Sequence, residues 1–326
     1  MEKKTVLVTG IGGNVGQGVL RNIQDLNWNI RLVGTNIEEF CAGNHLCDVT
    51  YRVPYAYEDD YITCIQKIVE REKVDLIIPT TDYEVFFLAS NKKNITTVIA
   101  VSDKEVAENY LDKYLTFKLH LQKEIPFVIS WLPSEFKDYE GEIIAKPRKG
   151  RGSRGIEINP KEPQLFSDDY LIQPLYRGKE ITTAFYVKKD GTLHGIFTME
   201  RELSNGATSK SKTTSEFDEM IKNEIILKMI QIHGLRGSIN LQSIVDEKGM
   251  IHPFEVNCRI SGTNSIRHNL GFQDVKYTLQ EYLYNEDPSK IEAQEGIAVR
   301  LLYDVIYPGA TNEESLNNNS CNFKLY

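Results

Sequence analysis

Lys146-Pro147-Arg148-Lys149-Gly150-Arg151-Gly152-Ser153-Arg154-Gly155 lies between two β-type segments, Ile143–Lys146 and Ile156–Ile158, and its reading decides the fold. Three glycines and five cations fall within these ten residues, where a hairpin turn needs only one or two glycines. Bare backbone N–H groups cradle phosphates, and cations neutralise them. The stretch is not a P-loop, because G-x-x-x-x-G-K-S/T is absent and no helix follows at once. A solvated basic hairpin and a nucleic-acid patch are the alternatives. A mobile flap over a triphosphate accounts best for this composition.

The rest of the chain bounds that reading. Its 326 residues suggest two domains, or three small ones. Hydrophobic residues at 41% and charged residues at 26% are those of a soluble globular protein. With 38 basic against 46 acidic side chains the formal charge is -8, which argues against nucleic acid as the main partner and leaves room for a local anion pocket. The five cysteines, Cys41, Cys47, Cys64, Cys258 and Cys321, are odd in number and form no C-x-x-C. That pattern fits reduced thiols and a cytoplasmic protein. No signal peptide is read at the N-terminus, and no apolar run approaches 18 residues, so no membrane partner is expected.

Upstream of the basic loop, strand-like and helix-like patterns alternate. Thr5–Thr9, Ile30–Gly34, Leu76–Ile78 and Thr97–Val101 read as strands, and the segments from Val15 and from Tyr61 repeat at helical spacing. This is a small doubly wound α/β domain ending near residue 105. A helix is expected from Ser102 or Asp103 to about Lys123. Strands dominate after Pro126: Tyr170–Pro174, Ile181–Val187, Leu193–Met199, Ser238–Val245 and Met250–Val256, with a helix over 215–233. That is antiparallel α+β construction. The segment Asn317-Asn318-Asn319 is expected to fray.

Two further constellations carry chemistry. Gly10-Ile11-Gly12-Gly13-Asn14-Val15-Gly16 follows a strand and opens a helix, where a backbone can approach an anion closely. A tight turn without a nucleotide is the first reading, a bound substrate or effector the second, and a dinucleotide the third. For the third, Tyr114 and Lys118 have the spacing of a short-chain NAD(P) reductase pair, but the second strand ends in Thr35-Asn36 without an acidic residue for the ribose. The other constellation is Glu255-Val256-Asn257-Cys258-Arg259. Alternation puts Glu255, Asn257 and Arg259 on one face. With Asp246–Gly249 as the loop, Val245 pairs with Met250, Asn240 with Glu255 and Gln242 with Pro253, so Gln242 lies diagonal to Glu255. Such hard oxygen donors suit Mg²⁺ arriving with a nucleotide.

Together these elements resemble the ATP-grasp superfamily, in particular single modules of the carbamoyl-phosphate synthase large chain and its relatives. The resemblance runs from Thr5 to about Arg300, and includes Asp112-Lys113, Lys146-Pro147 with its loop, Gln173-Pro174-Leu175, Gly178-Lys179-Glu180 and Asn240-Leu241-Gln242. It implies a Rossmann-like domain over 1–105, a small ATP-grasp subdomain over 106–180 and a large one over 181–326. It also implies an ATP-dependent ligase that makes an acyl phosphate from a carboxylate and passes it to an amine or thiol, with ATP and Mg²⁺ (or Mn²⁺) as cofactors.

Carried over, Lys113 and Lys146 contact ATP phosphates, with Arg148, Gly150, Gly152, Ser153 and Gly155 in the flap. Gln173, Pro174 and Leu175 form the hinge at the adenine edge through backbone groups, with Glu180 nearby. Gln242, Glu255 and Asn257 hold the metal, and Arg259, with Lys146, stabilises the transferred phosphoryl group. Asp82 and Glu84, read as a loop after a strand, are candidates for a substrate ammonium. Lys210, Lys212 and Arg267 with His268 are candidates for substrate contacts, a surface charge pair being the alternative for the last two. The expected partners are small-molecule carboxylates and amines, a homodimer is a common arrangement for soluble enzymes, and a non-catalytic ATP-binding protein is the third functional reading.

Overall fold

A computed structural model describes residues 3–150, 154–313, 316 and 322–326; the expectations for Gly152, Ser153 and the 317–319 segment lie outside these residues. The first unit contains β1 (Lys4–Val8), α1 (Asn14–Asp25), β2 (Ile30–Asn36), β3 (Val49–Arg52), α2 (Tyr61–Glu72), β4 (Leu76–Ile78), α3 (Asp82–Ser90) and β5 (Val98–Ile99). Its strands form one parallel sheet in the order β3-β2-β1-β4-β5. Alternation along β1 divides the core. Val6 and Val8 meet Val19, Leu20 and Ile23 of α1 on one face, while Leu7 and Ile77 meet Ile65 and Leu88 on the other.

Two local readings change here. Asp82 and Glu84 are not in a loop; they sit in the first turn of α3. Thr81 caps that turn, accepting the Glu84 N–H at 3.3 Å and donating its hydroxyl to the Glu84 carboxylate at 2.8 Å. The helix expected to run from 103 to 123 is instead two, α4 (Lys104–Leu111) and α5 (Lys113–Gln122). The break is Asp112, at φ -110 and ψ 115, whose carboxylate accepts the N–H groups of Tyr114 and Leu115 at 2.9 and 3.3 Å.

Among the described residues the second half carries a two-stranded antiparallel pair, Val305–Ile306 with Lys324–Leu325, and two larger antiparallel sheets. The small one, β7-β6-β8, contains β6 (Ile143–Pro147), β7 (Glu157–Ile158) and β8 (Tyr170–Pro174). The large one contains β9 (Lys179–Val187), β10 (Leu193–Ser204), β11 (Ala207–Thr213), β12 (Gly237–Val245), β13 (Ile251–Asn257) and β14 (Ile297–Val299), ordered β13-β12-β9-β10-β11-β14. The β10–β11 hairpin, absent from the sequence reading, turns on Asn205 and Gly206 with φ of 51° and 73°, the left-handed pair that a two-residue turn requires. The helix expected over 215–233 is shorter: α6 (Asp218–Ile221) runs through a π turn into α7 (Leu227–Met229). Two last helices, α8 (Asn264–Asn269) and α9 (Asp274–Tyr282), follow β13.

These last helices lock the halves together. Ile260, Val275 and Leu279 complete the core on the α1 side of the parallel sheet. Asn22 donates to Asn264 at 3.0 Å in the same interface. Gly18 permits that approach, since a Cβ there would collide with Asn264 Oδ1. Among the described residues no helix is long and apolar enough to cross a membrane.

Candidate active site

The parallel sheet and the two larger antiparallel sheets surround a cleft of about 1330 Å³. Its floor is the β12–β13 pair. The expected register is off by one: Val245 pairs with Ile251, and a bulge between Gln242 and Ser243 then brings Gln242 directly opposite Glu255 and Asn240 opposite Asn257. The shared face survives and the groups are closer than a diagonal pair. Gln242 Nε2 donates to Asn257 Oδ1, and Asn257 Nδ2 to Glu255 Oε1, both at 3.0 Å.

Three cations surround Glu255. Lys146 on β6 is only 6% exposed, and its Nζ donates to the Phe254 carbonyl at 3.2 Å. Burial pushes its ammonium down to about 7; Glu255 opposes that shift, Lys113 adds to it and Glu180 opposes it. Lys113 opens α5 and its Nζ donates to the Gly150 carbonyl at 3.1 Å, which ties the flap to that helix. Burial works to raise the Glu255 carboxyl, but Lys113, Lys146, the Asn257 amide and Arg259 outweigh it and hold Glu255 below the usual range. Burial works against the Arg259 cation, yet Asp82 and Glu255 keep it fully charged.

Glu255, Asn257 and Gln242 present the hard oxygen donors that Mg²⁺ takes. Arg201 already holds Gln242 Oε1 at 2.6 Å, and Asn257 Oδ1 accepts from Gln242, which makes the Glu255 carboxylate the strongest donor. Among the described residues no cluster of three or more His, Cys, Asp or Glu side chains exists to cage a metal. The donor set therefore fits an ion that brings phosphate ligands with it.

Gly150, Gly155, Gln173, Pro174, Leu175 and Glu180 line the cleft, as do Asp82 and Glu84. Several expectations need correction. Arg148 does not line the cleft; its guanidinium binds both oxygens of Asp112, the shortest contact being 2.7 Å, and donates to the Asp168 carbonyl. Its role is to lock the cap of α5. The Gln173 side chain donates to Ser130 at 2.8 Å, and the Leu175 N–H to the Glu142 carbonyl at 2.8 Å, so that N–H is committed within the protein. Lys210 and Lys212 point away from buried Ser211 on β11 and are exposed, outside the cleft. Arg267 is neither a surface group nor a cleft group: it is fully buried against Asp274, and donates to Ser261 and Thr263. Asp82 is already paired, with Arg259 at 2.7 Å.

The reductase pair fails as a site. Neither Tyr114 nor Lys118 lines the cleft that holds Gly10, Gly12 and Gly13. The Tyr114 hydroxyl donates to Glu135 at 2.6 Å, and burial with that carboxylate raises its pKa to about 12.

The sequence reading missed Arg201, which bridges Glu180 and Gln242. Its signal was parity, because Phe197, Met199 and Arg201 share one face of β10 and the first two are buried. It also missed Ser261, which donates to Asn240 at 3.0 Å beneath the metal-type donors.

Residues 6–102 match the PylC-like N-terminal domain family, and residues 110–263 match the ATP-grasp domain family. A search of curated proteins by sequence finds no significant match. Among solved structures, the chain is similar to N5-carboxyaminoimidazole synthetase from Staphylococcus aureus complexed with ADP, at 15% identity and TM-score 0.73 over 92% of this chain and 82% of that one. It is similar to the biotin carboxylase domain of Hydrogenobacter thermophilus 2-oxoglutarate carboxylase, complexed with MgADP and bicarbonate, at 18% identity and TM-score 0.70 over 90% and 73%. It is also similar to L-amino acid ligase from Bacillus licheniformis, at 13% identity and TM-score 0.66 over 86% and 74%. The cleft thus lies between a segment that matches a PylC-like N-terminal domain, residues 6–102, and one that matches an ATP-grasp domain, residues 110–263.

Proposed function

We propose that this protein is an ATP-dependent ligase, which phosphorylates a small carboxylate to an acyl phosphate and transfers the acyl group to an amine or thiol. One observation carries the reading: Lys113, Lys146 and Arg259 act together on Glu255 at the floor of a cleft bordered by a glycine-rich flap. Arg259 already has Asp82 as a carboxylate partner, whereas Lys113 and Lys146 donate to backbone carbonyls, and the polyphosphate of ATP would supply the negative charge that these two ammonium groups face. The three ADP- or MgADP-type and ligase relatives are consistent with it.

In the first step a carboxylate oxygen attacks the γ-phosphorus, and the bond to the β–γ bridging oxygen breaks to release ADP. In the second the nucleophile attacks the acyl carbon and phosphate leaves. Two anions must meet for the first step, so most of the catalysis is electrostatic positioning. Lys113 and Lys146 sit where they neutralise phosphates, and Arg259 faces the group in transit. Glu255 and Asn257, with Gln242, would hold Mg²⁺, which when bound offsets phosphate charge. Lys113 anchors the flap through Gly150, and closure there shields the acyl phosphate from water.

The test is chemical trapping. Hydroxylamine added with ATP, Mg²⁺ and a panel of carboxylic acids converts an acyl phosphate to a hydroxamate. Hydroxamate that requires ATP and one acid, and that disappears in Glu255→Ala, supports the reading. Mg-ATP binding without hydroxamate or ADP release from any acid would favour a non-catalytic ATP-binding protein.

A further inference from the structure

The arginine assigned to the phosphoryl group is held from the other domain. Arg259 follows the end of β13, and its Nη2 donates to Asp82 Oδ2 at 2.7 Å, across 177 positions of sequence. Its Nη1 donates to the Ile260 carbonyl at 3.1 Å. The Nε is buried and has no hydrogen-bond partner among the described residues. Asp82 itself is fixed in the first turn of α3, which Thr81 caps. Both partners line the cleft, and their side chains are only 13% and 21% exposed.

Domain docking does not need this contact. The apolar core of Ile260, Val275 and Leu279 against β1 and α1, and the Asn22–Asn264 bond, already join the halves. What the contact does fix is the plane of a guanidinium on a flexible stem. The Asp82 carboxylate and the Ile260 carbonyl each take one Nη hydrogen, which sets the direction in which the remaining Nη hydrogens are presented. We propose that Asp82 is a positioning residue for Arg259: the PylC-like domain supplies the carboxylate that orients the phosphoryl-facing guanidinium, so the ATP-grasp site is complete only with α3 in place. This rests on the role given to Arg259 above, and it replaces the expectation that Asp82 receives a substrate ammonium.

The probe is Mg-ADP with and without aluminium fluoride, which mimics the phosphoryl group in transit. Dissociation constants are measured on the full chain, with melting temperatures as a folding control. Asp82→Asn should leave Mg-ADP affinity within about twofold and weaken the fluoride complex about tenfold or more. Asp82→Ala should reproduce that loss, and Asp82→Glu should recover part of it. Adding Asp82→Asn to Arg259→Ala should cost nothing further, because the two act as one unit. Unchanged fluoride affinity in Asp82→Asn or Asp82→Ala, with Arg259→Ala weakened, would overturn the proposal and leave the ligase reading standing. Unchanged affinity in Arg259→Ala would remove the role of Arg259, and the proposal with it.

Discussion

Lys146 makes ATP binding a proton-linked event. Its ammonium is buried in the free protein and titrates at about 7, so at pH 9 the side chain is neutral. A single phosphate charge about 4 Å away contributes about 4 kcal/mol at an effective dielectric of about 20. At 1.36 kcal/mol per unit that raises the bound-state pKa by about three units, to roughly 10. The sign follows: the bound state holds the proton more tightly, so affinity is greatest at low pH and falls as pH rises through the free-state value. Linkage between these two states gives a loss of about 50-fold from pH 7 to pH 9, with uptake of about 0.9 proton per ATP bound at pH 8. Calorimetry of Mg-ATP binding at pH 8, in buffers of different ionisation enthalpy, measures the uptake directly. Lys146→Met should bind more weakly at pH 7 and show neither the slope nor the uptake. A change of less than about threefold between pH 7 and 9, or a slope that survives in Lys146→Met, would refute the placement of this ammonium against the phosphates.

Two more predictions concern the frame of the site. Asp112→Ala removes the cap of α5 and leaves Arg148 without its carboxylate. The lost cap, about 1 kcal/mol, and the lost charged hydrogen bonds, about 1.5–3 kcal/mol, together predict a destabilisation of about 2.5–4 kcal/mol in denaturant unfolding; less than 1 kcal/mol would contradict the lock. Gly18→Ala should destabilise despite the roughly 1 kcal/mol that Ala gains over Gly in a helix, because its Cβ would press into buried Asn264. A net loss of about 1–2 kcal/mol is expected from overpacking, and a raised melting temperature would show that α8 can yield.

The layer order is legible in the sequence because its signals are strong. Short apolar strands alternating with periodic helices dictate a parallel sheet, and strand parity alone is enough to put Glu255, Asn257 and Arg259 on one face. The differences have specific physical origins. A bulge next to Gln242 shifts the hairpin register, and nothing in the pattern of apolar residues marks it. Asp112 breaks a periodic helix by capping a new one, a signal present in the sequence but outweighed by periodicity. The Thr81 cap with its hydroxyl on Glu84 and the Asn205-Gly206 turn are local signals of the same kind, each written in two residues and easily masked by longer apolar patterns around them. Charge alone suggests ligand roles for Arg148 and Arg267, whereas packing gives them Asp112 and Asp274 as partners. Arg201 and Asp82 reach the site across strands and across domains, and single-segment patterns carry no information about such contacts.

The most direct test of the ATP-ligase account is thermal unfolding of the wild type and Glu255→Ala with Mg-ATP, with ATP plus a chelator, and with NADPH. Ligand at about 100 times its dissociation constant adds about 2.7 kcal/mol, enough to raise the midpoint by a few degrees. The account predicts a rise with Mg-ATP that requires both magnesium and Glu255, and none with NADPH. A rise with NADPH alone, or one with Mg-ATP that Glu255→Ala keeps in full, would contradict it.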